Sequence, residues 1–364
     1  MVEVSCRKSG EEDVTRVSEY RKGHFPYNSS LRCYEPEYYR WKLFNNPCQQ
    51  GEIWIAENNG NIVGLVTFTP KKMKVMDSVI DGAETGDSFV HPGFRRQGIS
   101  TRLGLASRES ILGRRFNLLY NVPSPVSWAR DSKKLGYAEV PFNLMNLIRP
   151  LAIRILVQRK MPVSRRLRLA VYKAILALPF TAIRSFIRSV SGGNDGNGRS
   201  EVTVRKVDAF PDDIDIFCEK ASKSFDGMLL FNRENLTWRY IRNPDTYQIL
   251  VATNSEGATA GYMVTKIASQ KIMSTGYIVD FLTLGDKDVF EKLLRASLKE
   301  FRRQKAGFVQ TWAIKGTIYG DIIKRLGFRP YMRMILSIYQ NEIGKQVISP
   351  GFKWHFTMGC SDTV

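Results

Sequence analysis

The feature that most constrains the fold is an internal repeat. Three stretches of the first half of the chain return in the second half in the same order. They are YYRWKLFNNP (38–47) and NLTWRYIRNP (235–244), IVGLVTF (62–68) and TAGYMVT (259–265), and KKLGYAEV (133–140) and KRLGFRPY (324–331). The first two pairs share an offset of 197 residues, and the third has an offset of 191. This order predicts two copies of one fold that differ by six residues in length over the matched span.

Each copy has the pattern of a mixed α/β fold. In the first copy, GEIWIAENNGNIVGLVTFTP predicts a β-hairpin around the turn 58–61, and GAETGDSFV predicts a third strand. ISTRLGLASRESILGRR then has the apolar spacing of a helix, and FNLLYNV that of a short buried strand. We therefore predict an α/β protein with two tandem domains, each with a mixed central sheet flanked by helices.

Length and composition agree with two domains in a reducing compartment. The 364 residues are 43% apolar, which is enough for two full cores. The five cysteines include no close pair and there are three histidines, which suggests neither a disulfide framework nor a metal site. The N-terminus, MVEVSCRKSGEED, is polar where a secretory signal would be apolar. We predict a cytoplasmic protein that uses no metal.

Residues 149–190 account for about half of the net charge of +19. This basic segment contains ten Lys and Arg residues and no Asp or Glu, and its longest uncharged run, ten residues, is too short to cross a bilayer. Two interpretations stay open. The segment forms helices packed on the domains, or it makes a peripheral contact with anionic lipid at the inner face of the membrane. Nucleic acid is disfavoured because no binding motif accompanies the charge.

A linker divides the copies. SVSGGNDGNGRS, residues 189–200, is rich in turn-forming Gly and Asn and holds no regular element. We predict four parts of the chain, listed in order: an N-terminal domain over 1–148, the basic helical segment and linker over 149–200, a C-terminal domain over 201–345, and a tail over 346–364.

The stretch FVHPGFRRQGIS, residues 89–100, joins the predicted third strand to the predicted helix. Its last ten residues, the cradle loop (91–100), have the parts of an anion-binding site. The first N–H groups of a helix lack intrahelical partners, and the helix dipole favours negative charge there. Gly98 would let the backbone approach a phosphate without a Cβ in the way. A solvated basic turn has the same composition.

Val90-His91-Pro92 followed by Arg95-x-x-Gly98-x-Ser100 resembles the acetyl-CoA pyrophosphate loop of the GCN5-related N-acetyltransferases (GNAT). Ser100 replaces the final Gly or Ala of that pattern. The hairpin before the loop and the Leu-Gly-aromatic element near residue 136 also follow the order of that family. The resemblance is good over about residues 5–148. The second copy resembles the family only in its layout. The repeat and the ending KWHFTMGCSDTV resemble tandem two-lobe members, some of which accompany polysaccharide biosynthesis.

The resemblance implies acetyl-CoA as cosubstrate and assigns residues to it. Phe89 and Val90 would face the acetyl and pantetheine groups, with a main-chain N–H polarising the carbonyl. The residues implied at the pyrophosphate are Arg95, Arg96, Gln97, Gly98, Ile99 and Ser100. Because the family splays the next strand away, Asn121 and Ser127 would lie beside pantetheine. A proline-rich loop that these two residues only cap is the alternative.

The resemblance also implies a general base six residues before the valine, which is Glu84. Asp87 is the second candidate, and the alternative is that both are ordinary edge carboxylates. In a strand without a bulge, side chains alternate between faces. That rule puts Glu84, Gly86, Ser88 and Val90 on one face and Thr85, Asp87 and Phe89 on the other. His91 has a suitable unperturbed pKa, but a residue at a His-Pro corner is more often a surface cap.

The sequence leaves the identity of the proton donor for the thiolate open. Where the family often has a tyrosine, this sequence has Ser132, which leaves Asp131, Tyr137 or a water as candidates. The acceptor should lie against residues 24–41, since the first helices of this fold cover the substrate side. The aromatic candidates for stacking on a sugar or nucleotide are Tyr27, Tyr34, Tyr38 and Tyr39. Trp41 recurs as Trp238, which favours a core role for it.

Direct attack by the amine is the predicted reaction, since Cys6, Cys33 and Cys48 lie outside the cradle loop in sequence. The expected acceptor is a small-molecule amine such as an amino sugar on a nucleotide or lipid. Transfer of longer acyl chains at a membrane surface and a non-catalytic binding module are the alternatives. In the second copy, Asp286 and Asp288 stand where the first has arginines, which predicts one cofactor per chain.

Overall fold

A computed structural model of the chain describes residues 3–24, 35–151, 202–269 and 274–362. They form two compact units, each around one β-sheet. Unit 1 comprises Met1–Phe142, Ile214–Thr246 and Met334–Val364, and unit 2 comprises Asn143–Asp213 and Tyr247–Arg333. The predicted fold class is confirmed. The units follow a different division of the chain from the sequence copies, and most of the basic segment (152–190) lies outside the described residues.

The first copy alternates strands and helices as the sequence predicts. Its elements are β1 (Ser5–Ser9), α1 (Val14–His24), α2 (Pro36–Tyr39), β2 (Glu52–Asn58), β3 (Asn61–Val75), β4 (Ser78–Val90), α3 (Ile99–Ile111), β5 (Leu118–Asn121), α4 (Pro125–Lys134), β6 (Tyr137–Glu139) and β7 (Leu144–Pro150). A π-helical turn, Arg40–Phe44, continues α2, and a 3₁₀ turn, Pro92–Phe94, lies in the cradle loop.

The remaining elements repeat that order with one added strand, between the first two helices, and one added helix at the end. They are β8 (Thr203–Val207), α5 (Ile214–Ser222), β9 (Gly227–Leu229), α6 (Arg233–Tyr240), β10 (Gln248–Thr253), β11 (Thr259–Ala268), β12 (Thr275–Thr283), α7 (Lys287–Arg303), β13 (Phe308–Ile314), α8 (Ile318–Arg325), β14 (Arg329–Met334), β15 (Ser337–Tyr339) and α9 (Glu342–Val347). Among the described residues, no helix is both long enough and apolar enough to cross a bilayer.

The sheet of unit 1 runs in the order β1-β2-β3-β4-β5-β15-β6, with β9 paired to the far end of β3. β4 and β5 are parallel, and their neighbours pair antiparallel. The strand between β5 and β6 is β15, which comes from the end of the chain. Unit 1 is therefore completed by residues more than 190 positions from the strands that they join.

The sheet of unit 2 runs in the order β14-β7-β13-β12-β11-β10-β8. β12 and β13 are parallel. β7, the last strand of the first copy, pairs antiparallel with β13. The sheet of unit 1 thus contains two strands from the second copy, β9 and β15, and the sheet of unit 2 contains one strand from the first copy, β7.

Local sequence explains the first hairpin. Asn59 and Gly60 have φ values of 48° and 75°, the pair of positive angles that a two-residue turn between β2 and β3 requires. The predicted hairpin is therefore confirmed. Its strands carry apolar residues on both faces. Val66 and Phe68 pack with α3, whereas Leu65 packs with α1.

Trp41 and Trp238 occupy the interior of unit 1, as the repeat predicts. Their rings stack with centroids 4.6 Å apart. Each indole N–H donates to the main-chain oxygen of the other tryptophan, at 2.9 and 3.1 Å. The repeated aromatic positions therefore build a symmetric contact that satisfies both buried N–H groups.

Candidate active site

A β-bulge shapes the end of β4. Thr67 lies opposite Gly86 and Leu65 opposite Phe89, so Asp87 and Ser88 together oppose one residue of β3. Asp87 has a φ of 48°, the left-handed region. The extra residue reverses the alternation of side chains from this point onward.

The expected parity of β4 is therefore wrong beyond Gly86. Asp87 shares a face with Glu84, where it contacts Arg21 of α1. Ser88 lies on the opposite face, where it accepts a hydrogen bond from Arg130 of α4. The bulge thus brings two carboxylates to the α1 side of the sheet.

β4 and β5 separate just after Glu84. Their parallel ladder runs from Gly82 with Leu118 to Glu84 with Tyr120 and ends there, and Asn121 pairs instead with Ser337 of β15. Beyond this point a cleft opens on the α3 and α4 side of the sheet. Its polar lining residues are Thr85, Ser88, Ser100, Arg108, Asn121, Arg130, Asp131 and Tyr137.

The end of β4 directs a main-chain N–H toward this gap. The N–H of His91 donates to Val63 O at 2.9 Å, so that pair faces β3. Antiparallel pairs alternate, and the N–H of Val90 must therefore point away from β3, toward the side that β5 has left. An acyl carbonyl in the gap would find a donor there.

The cradle loop presents the uncapped start of α3. Gly98 is the N-cap residue with a φ of 77°, and in the described part of the chain no side chain caps the first turn. A Cβ at Gly98 would meet nothing within 4 Å, and residues 95–98 are largely exposed. The φ value and the open space explain the glycine and leave the backbone accessible to an anion.

The arginines of the loop differ in their contacts. Arg95 Nε donates to Val90 O at 3.1 Å, and its guanidinium lies 5.4 Å from the Phe89 ring centroid. Arg96 has a φ of 64° and is exposed. Ser100 is bonded to Arg130, which also donates to Ser88 at 2.9 Å. Arg130 therefore spans the cleft between α4 and the cradle loop, a role that sequence reasoning missed.

The face of β4 opposite the cleft carries a buried ion cluster. Asp87 accepts hydrogen bonds from Lys42 Nζ at 2.6 Å, Arg21 Nη2 at 3.2 Å and Thr67 Oγ1 at 3.2 Å. Burial alone would raise the pKa of Asp87, but the charges of Lys42 and Arg21 lower it below the ordinary value. Asp87 is an ionised partner of two cations and a poor proton acceptor.

Glu84 lies three residues before Asp87 in β4, in a different environment. It is 3% exposed, and its carboxylate accepts from Ser361 Oγ at 2.6 Å and from the N–H of Asp362 at 2.9 Å. Burial and the charge of Asp362 raise the pKa of Glu84 to about 7, against an opposing effect of Lys71 at 3.6 Å. Of the two predicted carboxylates, Glu84 has the pKa suited to accept a proton near neutral pH.

The tail of the chain completes this cluster. Asp362 pairs with Lys71 at 2.8 Å and with Arg239 at 3.2 Å. Burial would raise its pKa, but these two cations and Lys42 lower it. Tyr120 donates to Cys360 O at 2.6 Å. Residues 360–362 therefore lie against the strand that carries Glu84, although the sequence placed them in a separate tail.

Cys360 is the cysteine near Glu84 in the described structure, and its position was not foreseen. It is fully buried, and its sulfur accepts a hydrogen bond from the N–H of Thr357 at 3.4 Å. A buried, bonded thiol is a poor nucleophile. The predicted attack without an acyl-enzyme stays a prediction.

Candidates for the proton donor line the cleft. Tyr137 Oη lies 3.0 Å from Thr85 Oγ1, and burial raises its pKa. Burial also raises the pKa of Asp131, in spite of its contacts with Arg130 at 2.6 Å and Asn121 at 2.9 Å. Ser132 bonds its own helix, donating to Trp128 O at 2.8 Å.

The remaining predicted site residues are a serine of α4 and three tyrosines. Ser127 is in the first turn of α4, where its N–H donates to the N-cap Ser124 at 3.2 Å, so a capping arrangement is observed. Tyr27 and Tyr34 lie outside the described residues. Tyr38 is 4% exposed and packs against Trp41, so its ring belongs to the interior of unit 1.

In unit 2, the backbone N–H groups at the corresponding positions are already hydrogen-bonded. Thr283 of β12 takes the position of Val90, since it pairs with Gly261 as Val90 pairs with Gly64. Its N–H donates to Tyr319 Oη at 3.1 Å. At the start of α7, the Asp286 carboxylate accepts from the N–H groups of Asp288 and Val289 at 2.7 and 3.2 Å. Both donors that the first copy leaves accessible are already bonded here.

Comparison with known families identifies the first copy. Residues 5–138 match the family model described as an acetyltransferase (GNAT) domain.

The first copy is a GNAT acetyltransferase domain.

The GNAT domain makes the chain an acyltransferase by class, as predicted. Its match covers β1 to β6 and ends before the linker, so the second copy has the fold without that sequence signature. No curated protein matches the chain by sequence.

Solved structures share the fold over nearly the whole chain. A probable N-acyltransferase from Enterococcus faecalis V583 is 15% identical, with a TM-score of 0.59 over 93% of this chain and 72% of its own. N-myristoyltransferase of Saccharomyces cerevisiae, with bound myristoyl-CoA, is 11% identical, with a TM-score of 0.60 over 95% and 88%. A GCN5-related N-acetyltransferase from Anabaena variabilis is 11% identical, with a TM-score of 0.59 over 92% and 72%. At these identities the likeness concerns the fold alone.

Proposed function

We propose that the chain is an acyl-CoA-dependent N-acyltransferase that moves acetyl from acetyl-CoA to the amine of a small molecule. One observation carries the proposal. In the GNAT domain, the N–H of Val90 and the uncapped start of α3 both open to the gap between β4 and β5. A thioester with a pyrophosphate needs these two kinds of donor, one at each end.

The cosubstrate would lie along this gap. The backbone of Gly98 and Ile99 and the side chains of Arg95, Arg96, Gln97 and Ser100 would hold the pyrophosphate. Phe89 and Val90 would hold the acetyl end, and Asn121 and Ser127 the pantetheine. Arg130 crosses the same cleft, so pantetheine would lie beside its side chain.

We assign the proton transfer to Glu84 rather than Asp87. Lys42 and Arg21 hold Asp87 ionised, whereas the pKa of Glu84 is raised to about 7. Glu84 is buried, so the proton of the amine would reach it through one water molecule. The amine then attacks the thioester carbon, the C–S bond breaks, and the thiolate takes a proton from Tyr137, Asp131 or water.

The acceptor is proposed from the family resemblance: an amino sugar carried on a nucleotide or lipid. No described residue selects a sugar. Tyr27 and Tyr34 remain the predicted stacking surfaces. The contact of residues 149–190 with anionic membranes, and a cytoplasmic location, likewise stay predictions.

Acyl transfer to a panel of amines tests the proposal. Purified protein would be given acetyl-CoA, butyryl-CoA or palmitoyl-CoA with nucleotide-linked amino sugars, simple amines and peptides, and products identified by mass spectrometry. We expect acetylated amino sugar. Transfer of palmitoyl in preference to acetyl would establish the longer-chain alternative. Absence of coenzyme A binding and of transfer to any amine would leave a non-catalytic binding module.

A further inference from the structure

Unit 2 contains a buried arginine that has no acidic partner among the described residues. Arg149 of β7 is 6% exposed, and its Nε is buried without a hydrogen-bond partner among the described residues. Burial and the charges of Arg302 and Arg295 lower its pKa to about 10. A guanidinium stays protonated at that pKa, so Arg149 is a buried cation surrounded by cations.

Arg302 is the second member of this cluster. It lies two turns after Arg295 on α7, a spacing that puts both on one face of the helix. Its Nε is also buried without a hydrogen-bond partner in the described part of the chain, and burial lowers its pKa. Two arginines from different elements thus converge with unused donors.

A glycine turn lies close to Arg149. Gly327, between α8 and β14, has a φ of 89°. A Cβ at Gly327 would lie 3.6 Å from Arg149 Nε and 3.8 Å from its Cζ. The turn therefore passes close to the guanidinium and brings no carboxylate to it.

The carboxylate that pairs with Arg295 also pairs with a second arginine. Glu291 pairs with Arg295 at 2.6 Å and with Arg325. Arg149 and Arg302 remain outside that group, and the cluster keeps an excess of positive charge. Leaving a buried charge uncompensated is costly, so a fold that retains Arg149 near other cations needs a reason for it.

We propose that Arg149, Arg302 and Arg295 form a binding site for a phosphate group on unit 2. A phosphate carries up to two negative charges and several acceptor oxygens, and guanidinium groups bind such oxygens in pairs. The site is separate from the GNAT domain, and it does not depend on the proposed acetyl transfer. Its phosphate could belong to a soluble compound or to an anionic lipid headgroup.

Binding of inorganic phosphate to the full chain tests the site. We expect isothermal titration to show about tenfold weaker binding in Arg149→Met and in Arg302→Met, variants that keep side-chain length. Arg303→Met is the matched control, because Arg303 is on the same turn of α7 but pairs with Glu300 at 2.6 Å. Phosphate held by the cradle loop would persist in all three variants, so the difference between variants reports unit 2 alone.

Thermal unfolding separates this role from a structural one. Without phosphate, Arg149→Met should unfold at the same temperature as the wild type or higher, since it removes an unpaired buried charge. With phosphate, the wild type and Arg303→Met should gain stability and Arg149→Met should gain little. Equal phosphate binding by Arg149→Met and the wild type would overturn the proposal.

Vesicles distinguish the two sources of the phosphate group. The same proteins would be sedimented with vesicles of phosphatidylglycerol and phosphatidylcholine. Loss of vesicle binding in Arg149→Met, alongside loss of phosphate binding, assigns a lipid headgroup. Unchanged vesicle binding with weakened phosphate binding assigns a soluble phosphate compound.

Discussion

The starts of α3 and α7 occupy equivalent places in the two copies but present opposite surfaces. At α3, Gly98 leaves the first turn uncapped in the described structure. At α7, the Asp286 side chain accepts from the N–H groups of Asp288 and Val289. A carboxylate at this position occupies the donors and repels phosphate, so one side chain decides whether the helix start can take an anion.

The strands before those helices also differ in whether a backbone N–H is accessible. The N–H of Val90 points into an open gap, whereas that of Thr283 is bonded to Tyr319. Tyr319 also packs with Phe281 and Phe290, at centroid distances of 5.1 and 4.8 Å. One copy of the fold keeps a cleft, and the other fills it with aromatic rings. The fold is therefore compatible with cofactor binding but does not ensure it.

Gly98→Glu should have the largest effect on this contrast. A carboxylate at the start of α3 would meet the pyrophosphate, so we expect acetyl-CoA affinity to fall by on the order of 100-fold or more, with activity lost in parallel. Gly285→Glu is the matched control, because Gly285 precedes α7 with a φ of 86° and open space around it, as Gly98 has a φ of 77°.

Both substitutions impose a similar backbone cost of about 1–2 kcal/mol, and they should lower stability alike. Isothermal titration and thermal unfolding of both variants check this. Retained acetyl-CoA binding in Gly98→Glu, or its loss in Gly285→Glu, would reverse the assignment of the two copies.

Glu84→Gln should reduce turnover by about 10² to 10⁴ while acetyl-CoA binding is kept. The control is Glu52→Gln, since Glu52 is 2% exposed in the same sheet and pairs with Lys8 and Arg115. Loss of turnover in Glu52→Gln to the same extent would show that any buried charge in this sheet produces the effect. A full-rate Glu84→Gln enzyme would move the base to Asp87 or to water.

The raised pKa of Glu84 also predicts a pH dependence of stability. Its pKa rises from 4.5 to about 7 on folding, so the folded chain binds this proton more tightly than the unfolded chain. The contribution of Glu84 is fully present below about pH 4.5 and is lost as the pH rises to about 7. Urea unfolding of Glu84→Gln across this window should lack that decline, and an unchanged decline would contradict the assignment.

Asp362→Asn should shift the pH profile of activity without abolishing it. The charge of Asp362 raises the pKa of Glu84, while Lys71 and Arg239 lower it. Removing that charge should move the rise in kcat/KM from near pH 7 to a lower pH. A profile that stays in place, in a variant shown to be folded, would mean that the tail does not influence the base.

The Trp41–Trp238 contact should give the smallest effect and the most symmetric one. Trp41→Phe and Trp238→Phe each remove one indole hydrogen bond, and we expect each to destabilise unit 1 by about 1–2 kcal/mol. Urea unfolding of both single variants and the double variant would measure their coupling, expected at about 0.5–1.5 kcal/mol. Additive losses would contradict a direct contact.

Features set by local sequence were predictable. The Asn59-Gly60 turn, the repeat with its paired tryptophans, and the Gly98 loop each depend on neighbouring residues or on self-similarity. The bulge at Asp87 was not, because nothing in GAETGDSFV distinguishes a regular strand from a bulged one. That single extra residue moved Asp87 to the face of Glu84 and Ser88 to the cleft.

Long-range contributions to the site were also beyond sequence reasoning. Ser361 and Asp362 reach Glu84 across more than 270 residues, and β15 completes the sheet of the GNAT domain. The ending KWHFTMGCSDTV stood out as a tail, but nothing in its residues named a partner. Arg130 lies on α4, and no sequence motif marked it as a residue of the cleft.

The stoichiometry of acetyl-CoA binding tests the central contrast most directly. Isothermal titration of the full chain should give one site, located in the GNAT domain and eliminated by Gly98→Glu. Two sites per chain, or one site that survives Gly98→Glu, would contradict the conclusion that only the first copy keeps its helix start and its cleft open to the cosubstrate.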